Sequence, residues 1–258
     1  MPTARPPRTR RPRPSRRDSS VGRPTKRPGE GREKLRRAVE SDDIRTMDAD
    51  QYRGHIKSLY DGPAGGVLRL GSMISMHEPL IGRLIRKRRF DVTRFGSILD
   101  LGSGAGQILG HLLDAIEPGT RVVATDLSDG MLRRAAKRLE SDVPTYAAAD
   151  MTRMPFEDGT FDCVTCGYVI EHLDDPRPGL REVHRVLRPG GRLFLTATES
   201  NYLGAVVSRL WKCRTYGRGE LRDACAEVGL PWAEELWFTR LHGALRMGGI
   251  VIEAAKPE

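Results

Sequence analysis

Aromatic side chains make up only 6% of the 258-residue sequence. They do not interleave with basic residues, so a stacking platform for single-stranded nucleic acid is not expected. No apolar run approaches the length needed to cross a bilayer. The basic N-terminus is not followed by an apolar h-region. Its paired arginines therefore do not read as an export signal, and a cytoplasmic location is expected. Cysteine is scarce as well: Cys163, Cys166, Cys213 and Cys225. The first two form a C-x-x-C inside an apolar run that reads as a strand. Strand positions three apart face opposite ways, and no second C-x-x-C follows to complete a zinc site. Buried free thiols and no metal site are expected.

The body of the chain also lacks net charge. Residues 1–32 hold eleven basic and two acidic side chains, a surplus equal to the whole formal charge of +9. The same segment has seven prolines and almost no apolar side chains. It cannot bury enough surface to offset the entropy of ordering, so a disordered basic tail is expected. Such a tail suits nucleic acid or anionic lipid; it also reads as an extension ahead of a start at Met47. Its prolines spoil the amphipathic helix of a transit peptide. Residues 33–95 carry partly helical signals and are expected to form a helical N-terminal cap. Leu80, Ile81, Leu84 and Ile85 recur there at helical spacing. The basic run Arg86–Arg89 that follows could attract an acidic substrate, but reads first as a solvated helix end favoured by the dipole.

From residue 97 the pattern is regular. Strands are expected over 97–101, 121–126, 145–150, 161–169 and 192–198. Helices are expected over 105–116, 128–139 and 179–187, the last stopped by Pro189-Gly190-Gly191. Alternating strands and helices imply an α/β fold, a doubly wound parallel sheet with helices on both faces. Ligands of such folds bind outside the strand C-termini.

A glycine-rich turn follows the first strand in "ILDLGSGAGQ". Glycines there let a ligand approach bare backbone. The dinucleotide fingerprint would place its third small residue at Gln107, which is too large. Here the third glycine is Gly106, giving D-x-G-x-G-x-G headed by Asp100. An acid at that place suits a ligand with an amino group better than a pyrophosphate, which argues against a nicotinamide-dependent oxidoreductase. Asp126 ends the second strand, where it can accept hydrogen bonds from ribose hydroxyls. Asp150 ends the third, where it can accept from an exocyclic amine, with Met151 beside it to cover an adenine face. Each acid also reads as a helix cap or turn residue; together they line one sheet edge.

"ILDLGSGAGQ", "VVATDLSDGML", "AADMTRMPFEDGTFDCV" and "REVHRVLRPGGRLFLT" resemble the successive motifs of class I S-adenosylmethionine-dependent methyltransferases, the ubiquinone and menaquinone biosynthesis group in particular. The resemblance covers about residues 95–200 and extends more loosely to 217–256. It implies a Rossmann-like, mostly parallel seven-stranded sheet with its last strand antiparallel, so that 96–258 is the S-adenosyl-L-methionine-binding domain. It implies that Asp100, Gly102, Gly104 and Gly106 surround the methionine part of the cofactor. Asp126 would bind the ribose with Leu127 packing near the adenine, Asp150 and Met151 would hold the adenine, and Tyr168 would lie by the transferred methyl. The segments at about 48–90 and 199–216 would cap the acceptor pocket.

Methyl transfer from a sulfonium needs alignment and exclusion of water more than acid–base help. A base is required only if the acceptor must lose a proton. His172, beside Glu171 in "GYVIEHLDDP", is a weak candidate; it also reads as a helix cap or packing residue. Tyr52, His55, Tyr60 and His77 lie in the expected cap. Leu203, Val206, Val207, Leu210 and Trp211 share a helical face that suits either an apolar acceptor pocket or an ordinary lid helix. "GYVIEH" stands where nucleic-acid methyltransferases carry an asparagine-proline-proline type motif, so a small-molecule acceptor is expected. A cofactor-binding protein without activity, tethered by the basic tail, is the alternative.

Overall fold

The computed structural model describes Gly54 and residues 77–201, 204–205, 208–209, 213–245 and 248–258. The basic tail, Met47, Tyr52, His55, Tyr60, the side chain of His77, and Leu203, Val206, Val207, Leu210 and Trp211 lie outside the described residues.

Helix α1 (His77–Arg86) leads through a short 3-10 turn into β1 (Ser97–Leu101). Then follow α2 (Gln107–Leu113), β2 (Arg121–Asp126), α3 (Asp129–Leu139), β3 (Pro144–Ala148) and β4 (Phe161–Gly167). The chain continues with α4 (Arg177–Val186), β5 (Leu187–Ala197), α5 (Arg218–Glu227), β6 (Trp232–Glu235), α6 (Arg240–Leu245) and β7 (Ile250–Ala255).

The seven strands form one sheet in the order β3-β2-β1-β4-β5-β7-β6. Neighbours from β3 to β5 pair parallel. β7, last in the chain, runs antiparallel to both β5 and β6. The expected mostly parallel sheet with an antiparallel last strand is therefore present.

Strand alternation divides the core in two. Leu99, Val164, Leu193, Leu195, Ile250 and Ile252 pack with Leu180 and Val183 of α4 and Leu221 and Ala224 of α5. Their strand neighbours Ile98, Cys163, Phe194 and Val251 face the other way, onto Ile81, Leu84 and Ile85 of α1 and Leu112 of α2. Both faces of a central parallel strand are covered, which is why β4 reads as a near-continuous apolar run. The same alternation sends Cys163 and Cys166 to opposite layers, and all four cysteines are buried and free.

Several element boundaries depart from expectation: β3 ends at Ala148, so Asp150 stands in the turn after the strand rather than at its end, and three others have clear local reasons. α2 starts at Gln107 rather than 105, because Gly104 and Gly106 have positive φ, outside the helical region. β4 stops at Gly167, since Tyr168 takes φ +57°. α4 ends at Val186, and Leu187 already pairs with Phe161 in the sheet. Pro189-Gly190-Gly191 thus interrupts a strand rather than a helix: pairing resumes only at Arg192 with Cys163. Lys256 closes the helix end, its Nζ donating to the carbonyls of His184 and Leu187 at 2.8 and 2.7 Å. Among the described residues, no helix is long and apolar enough to cross a membrane.

Candidate functional site

The turn between β1 and α2 is built from backbone that side chains would obstruct. Gly102, Gly104 and Gly106 have φ of +70°, +53° and +83°, a region where a Cβ is strained. A Cβ on Gly102 would also come within 2.2 Å of Val169. The turn is fixed from below by Ser103, whose N–H donates to the Thr125 carbonyl at 2.8 Å and whose hydroxyl donates to the Asp100 carbonyl at 2.9 Å.

Asp100 is only 1% exposed. Thr165, its register partner on β4, donates its hydroxyl to Oδ1 at 2.6 Å. Oδ2 is buried with no hydrogen-bond partner. Burial pushes this carboxyl up to about 6, and the nearby Asp126 charge adds to the rise. An orphaned carboxylate oxygen is costly, and it is the kind of atom that a cationic ligand group would satisfy.

Asp126 meets the same turn from β2. Its Oδ2 accepts the Gly104 N–H at 2.9 Å, and its Oδ1 accepts the Ser128 N–H at 2.8 Å. Its carbonyl accepts from Ala149 N–H at 3.0 Å, which ties the turn after β3 to the same edge. In that turn, Asp150 Oδ1 accepts both the N–H and the hydroxyl of Thr152, each at 2.7 Å. Leu127 is half-buried between β2 and Ser128, the residue that caps α3. Met151 is 6% exposed, and the end of its side chain packs where a Cβ on Gly179 would lie. Tyr168 is half-buried beside the α1-side core, and burial pushes its phenol well above the usual range. The three acids therefore belong to one edge: Asp100 and Asp126 share the glycine turn, and Asp150 is joined to Asp126 through backbone.

His172 ends a 3-10 turn, Ile170–His172, just past β4. Burial pushes its imidazole down to about 4, so it is neutral at neutral pH and a poor proton acceptor there. Its neighbour Glu171 is 3% exposed and takes the Thr198 hydroxyl at 2.6 Å and the Thr198 N–H at 3.2 Å. Burial pushes Glu171 up to about 7. Tyr216 donates its hydroxyl to the carbonyls of Ile170 and Leu173 at 3.0 and 3.1 Å. Glu171 and Tyr216 thus pin the turn after β4 to the end of β5 and to the strand-like segment before α5.

Sequence reasoning missed Thr165, Thr198 and Tyr216. Thr165 left a trace, a hydroxyl in the otherwise apolar "FDCVTCG". Thr198 and Tyr216 lie in stretches whose pattern carries no such trace.

A methyltransferase-domain family model matches residues 99–195, the stretch from β1 to β5. The chain is 34% identical over 161 residues to a demethylmenaquinone methyltransferase of Mycolicibacterium vanbaalenii, covering 62% of this chain and 68% of the relative. It is 32% identical to the demethylmenaquinone methyltransferase of Clavibacter sepedonicus, covering 57% of this chain and 60% of the relative. For that relative and others like it, the chain spans little more than half of the length. The fold matches a Haloferax volcanii methyltransferase solved with the Trm112 methyltransferase activator: TM-score 0.63, 21% identity, 78% of this chain and 97% of that one. At that identity the likeness speaks for the fold alone. The chain belongs to the class I S-adenosylmethionine-dependent methyltransferases. The cofactor of this family is S-adenosyl-L-methionine, and the bare glycine turn beside an orphaned buried carboxylate oxygen fits a ligand with a cationic amino group.

Proposed function

We propose that the protein transfers a methyl group from S-adenosyl-L-methionine to oxygen, carbon or nitrogen of a small-molecule acceptor. The single observation that carries the reading is the unpartnered Oδ2 of Asp100 beside a turn whose three glycines all take positive φ. When bound, the cofactor supplies a methyl already activated by its sulfonium.

The chain's part is then to hold and orient. Asp100 receives the ammonium of the methionine moiety, while Gly102, Gly104 and Gly106 let that moiety lie against backbone. Asp126 engages the ribose hydroxyls from the turn it shares with Gly104 and Ser128. Asp150 and Leu127 border the adenine, and Met151 adds only the small part of its side chain left exposed. Tyr168, at the end of β4, faces the reacting end. Burial on this scale excludes water and so sharpens each charged contact.

Relatives named for demethylmenaquinone make a quinone-type carbon acceptor the first to try. His172 is at most a minor base for it at neutral pH, so the acceptor's own acidity carries more of the burden. The domain division proposed with this reading is a tail at 1–32, a cap at 33–95 and the cofactor domain at 96–258.

Calorimetry with S-adenosylhomocysteine tests the site. Wild-type protein binds it, and Asp126→Ala and Gly104→Val lose at least ~100-fold in affinity, the scale of a charge-assisted bond together with a strained turn. Unchanged affinity in both variants refutes the site. Transfer of a labelled methyl to a component of a metabolite extract tests the activity itself.

A further inference from the structure

The far end of the sheet holds a second concave feature. A cleft of about 280 Å³ opens between the C-terminal half of α1 and the β6–β7 connection. Arg83, Leu84, Lys87 and Arg89 line one wall, and Trp237, Phe238, Thr239, Arg240 and Gly243 the other. β6 stands five strands from β2 in the sheet. At the usual strand spacing that is roughly 24 Å from the strand bearing Asp126 and roughly 14 Å from β4, which leads to Tyr168, so the cleft lies apart from the ribose and adenine end of the cofactor edge.

Four cations converge on it with little to neutralise them. Arg89 shares Glu234 at 3.2 Å in a pair that is half exposed on both sides. Among the described residues, Arg83, Lys87 and Arg240 have no carboxylate within ion-pair distance. Arg83 and Lys87 stand four apart on successive turns, joined by the Lys87 N–H to Arg83 carbonyl bond. Like charges at that spacing destabilise a helix. The helix dipole favours cations at this C-terminal turn, and an anion in the cleft would offset the repulsion between them.

The aromatic wall is held in place before any ligand arrives. Leu236 and Phe238 point inward and are buried, which turns Trp237 outward. The Arg218 guanidinium lies 4.4 Å from the Trp237 ring centroid. That arginine is itself fixed by Glu199 at 2.7 Å and by the Gly249 carbonyl at 2.7 Å. Gly243 lets α6 lie against the indole, since a Cβ there would sit 3.3 Å from the ring. Beside the cleft, Leu241 and Leu245, one turn apart on α6, are 65% and 57% exposed and form an apolar ledge.

We propose that this cleft binds the phosphate group of a ligand with an apolar or flat body. Two arginines and a lysine without carboxylate partners among the described residues match a multiply charged oxyanion. Trp237 and the leucine ledge match the remainder of the ligand. Methyl transfer to the acceptor does not depend on the assignment, and the site takes its ligand whether or not the cofactor edge is filled.

The test uses the full chain, with inorganic pyrophosphate as one probe and phosphatidylglycerol vesicles as the other, phosphatidylcholine vesicles serving as the uncharged control. Indole fluorescence is the local readout, and Trp237→Phe identifies the share of the signal that comes from the cleft. Pyrophosphate alters the Trp237 signal, and Arg83→Glu/Lys87→Glu/Arg240→Glu weakens binding at least ~10-fold while S-adenosylhomocysteine still binds normally. Raising salt weakens the wild type and leaves the variant little changed. A response to pyrophosphate assigns the site to a soluble phosphate ester; a response to phosphatidylglycerol vesicles alone assigns it to a lipid headgroup. If both probes bind wild type and triple variant equally, the basic tail accounts for the binding and the proposal is overturned. Binding of neither probe overturns it too. Should the triple variant misfold, as judged by lost S-adenosylhomocysteine binding, Arg240→Gln with Lys87→Gln replaces it and must still weaken binding several-fold.

Discussion

The two ends of the sheet hold charge in opposite ways. At the β1–β2 edge, one carboxylate is buried almost completely with an oxygen left unpartnered. At the β6 edge, Arg89 pairs with Glu234, while among the described residues the exposed Arg83, Lys87 and Arg240 have no carboxylate within ion-pair distance. The first arrangement strains the free protein and suits a ligand bound deep in a dry site. The second costs the fold little, because water and salt screen exposed charge. The strained glycines and the unsatisfied oxygen at the first edge are what the proposed cofactor site rests on. At the second, repulsion between Arg83 and Lys87 works against what each gains from the helix dipole.

The sharpest way to break this contrast is Asp100→Asn. At neutral pH the wild-type carboxyl, lifted to about 6 by burial, is ionised against that burial. Removing the charge stabilises the ligand-free protein by on the order of 1–3 kcal/mol. The same change removes the charge-assisted bond to the ligand's ammonium, and S-adenosylhomocysteine affinity falls roughly 10- to 100-fold. Thermal or urea unfolding, run beside calorimetry, reads both effects. Loss of stability together with loss of binding would mean that Asp100 is merely structural.

The pH dependence sharpens the same point. A carboxyl whose folded pKa is raised contributes stability that is fully present below its unfolded value near 3.8 and is lost as pH rises through about 6. Glu171, raised from 4.5 to about 7, acts in the same sense over a slightly higher window. His172 opposes both: its folded value of about 4 lies below the usual 6.5, so its contribution is present above 6.5 and lost as pH falls. The total curve is therefore a partial cancellation. The difference between Asp100→Asn and wild type isolates one group. It should be constant below about pH 4, grow between 4 and 6, and level off above 7. A difference that stays flat across this range excludes a raised Asp100.

What could be read from the sequence follows from how far each determinant reaches along the chain. Gly102, Gly104 and Gly106 were legible because a turn between a strand and a helix dictates its own backbone. Asp100 and Asp126 were legible because parallel strands put their C-termini on one edge. The structure ties Asp126 to the glycine turn through the Gly104 N–H, a contact spanning 22 residues. Thr165 meets Asp100 across 65 residues, and Tyr216 meets Ile170 across 46. No periodicity encodes such pairs, only the strand order and the loop returning from β5. The cleft was illegible for the same reason. The Arg86–Arg89 run reads as a solvated helix end, and so it is along most of its exposed length. Its convergence with Trp237 and Arg240 exists only because β7 inserts between β5 and β6. The interruption at Pro189-Gly190-Gly191 shows a third limit: residues that end helices also break strands, and the sheet decided which.

The smallest effect expected lies at the exposed edge, and its smallness is informative. Arg83→Gln removes one member of the like-charged pair with Lys87 and keeps a good helix-forming side chain. Relief of an i,i+4 repulsion is worth about 0.2–0.5 kcal/mol, so urea unfolding should show the variant equal to the wild type or slightly more stable. S-adenosylhomocysteine affinity should not move, because Arg83 stands outside the glycine turn. Adding pyrophosphate should reverse the order, raising the unfolding midpoint of the wild type by more than that of the variant, since a ligand stabilises the state it binds in proportion to its affinity. A substitution that costs more than about 1 kcal/mol without ligand would show that Arg83 supports the fold of α1, and the two edges would then differ in burial alone rather than in purpose.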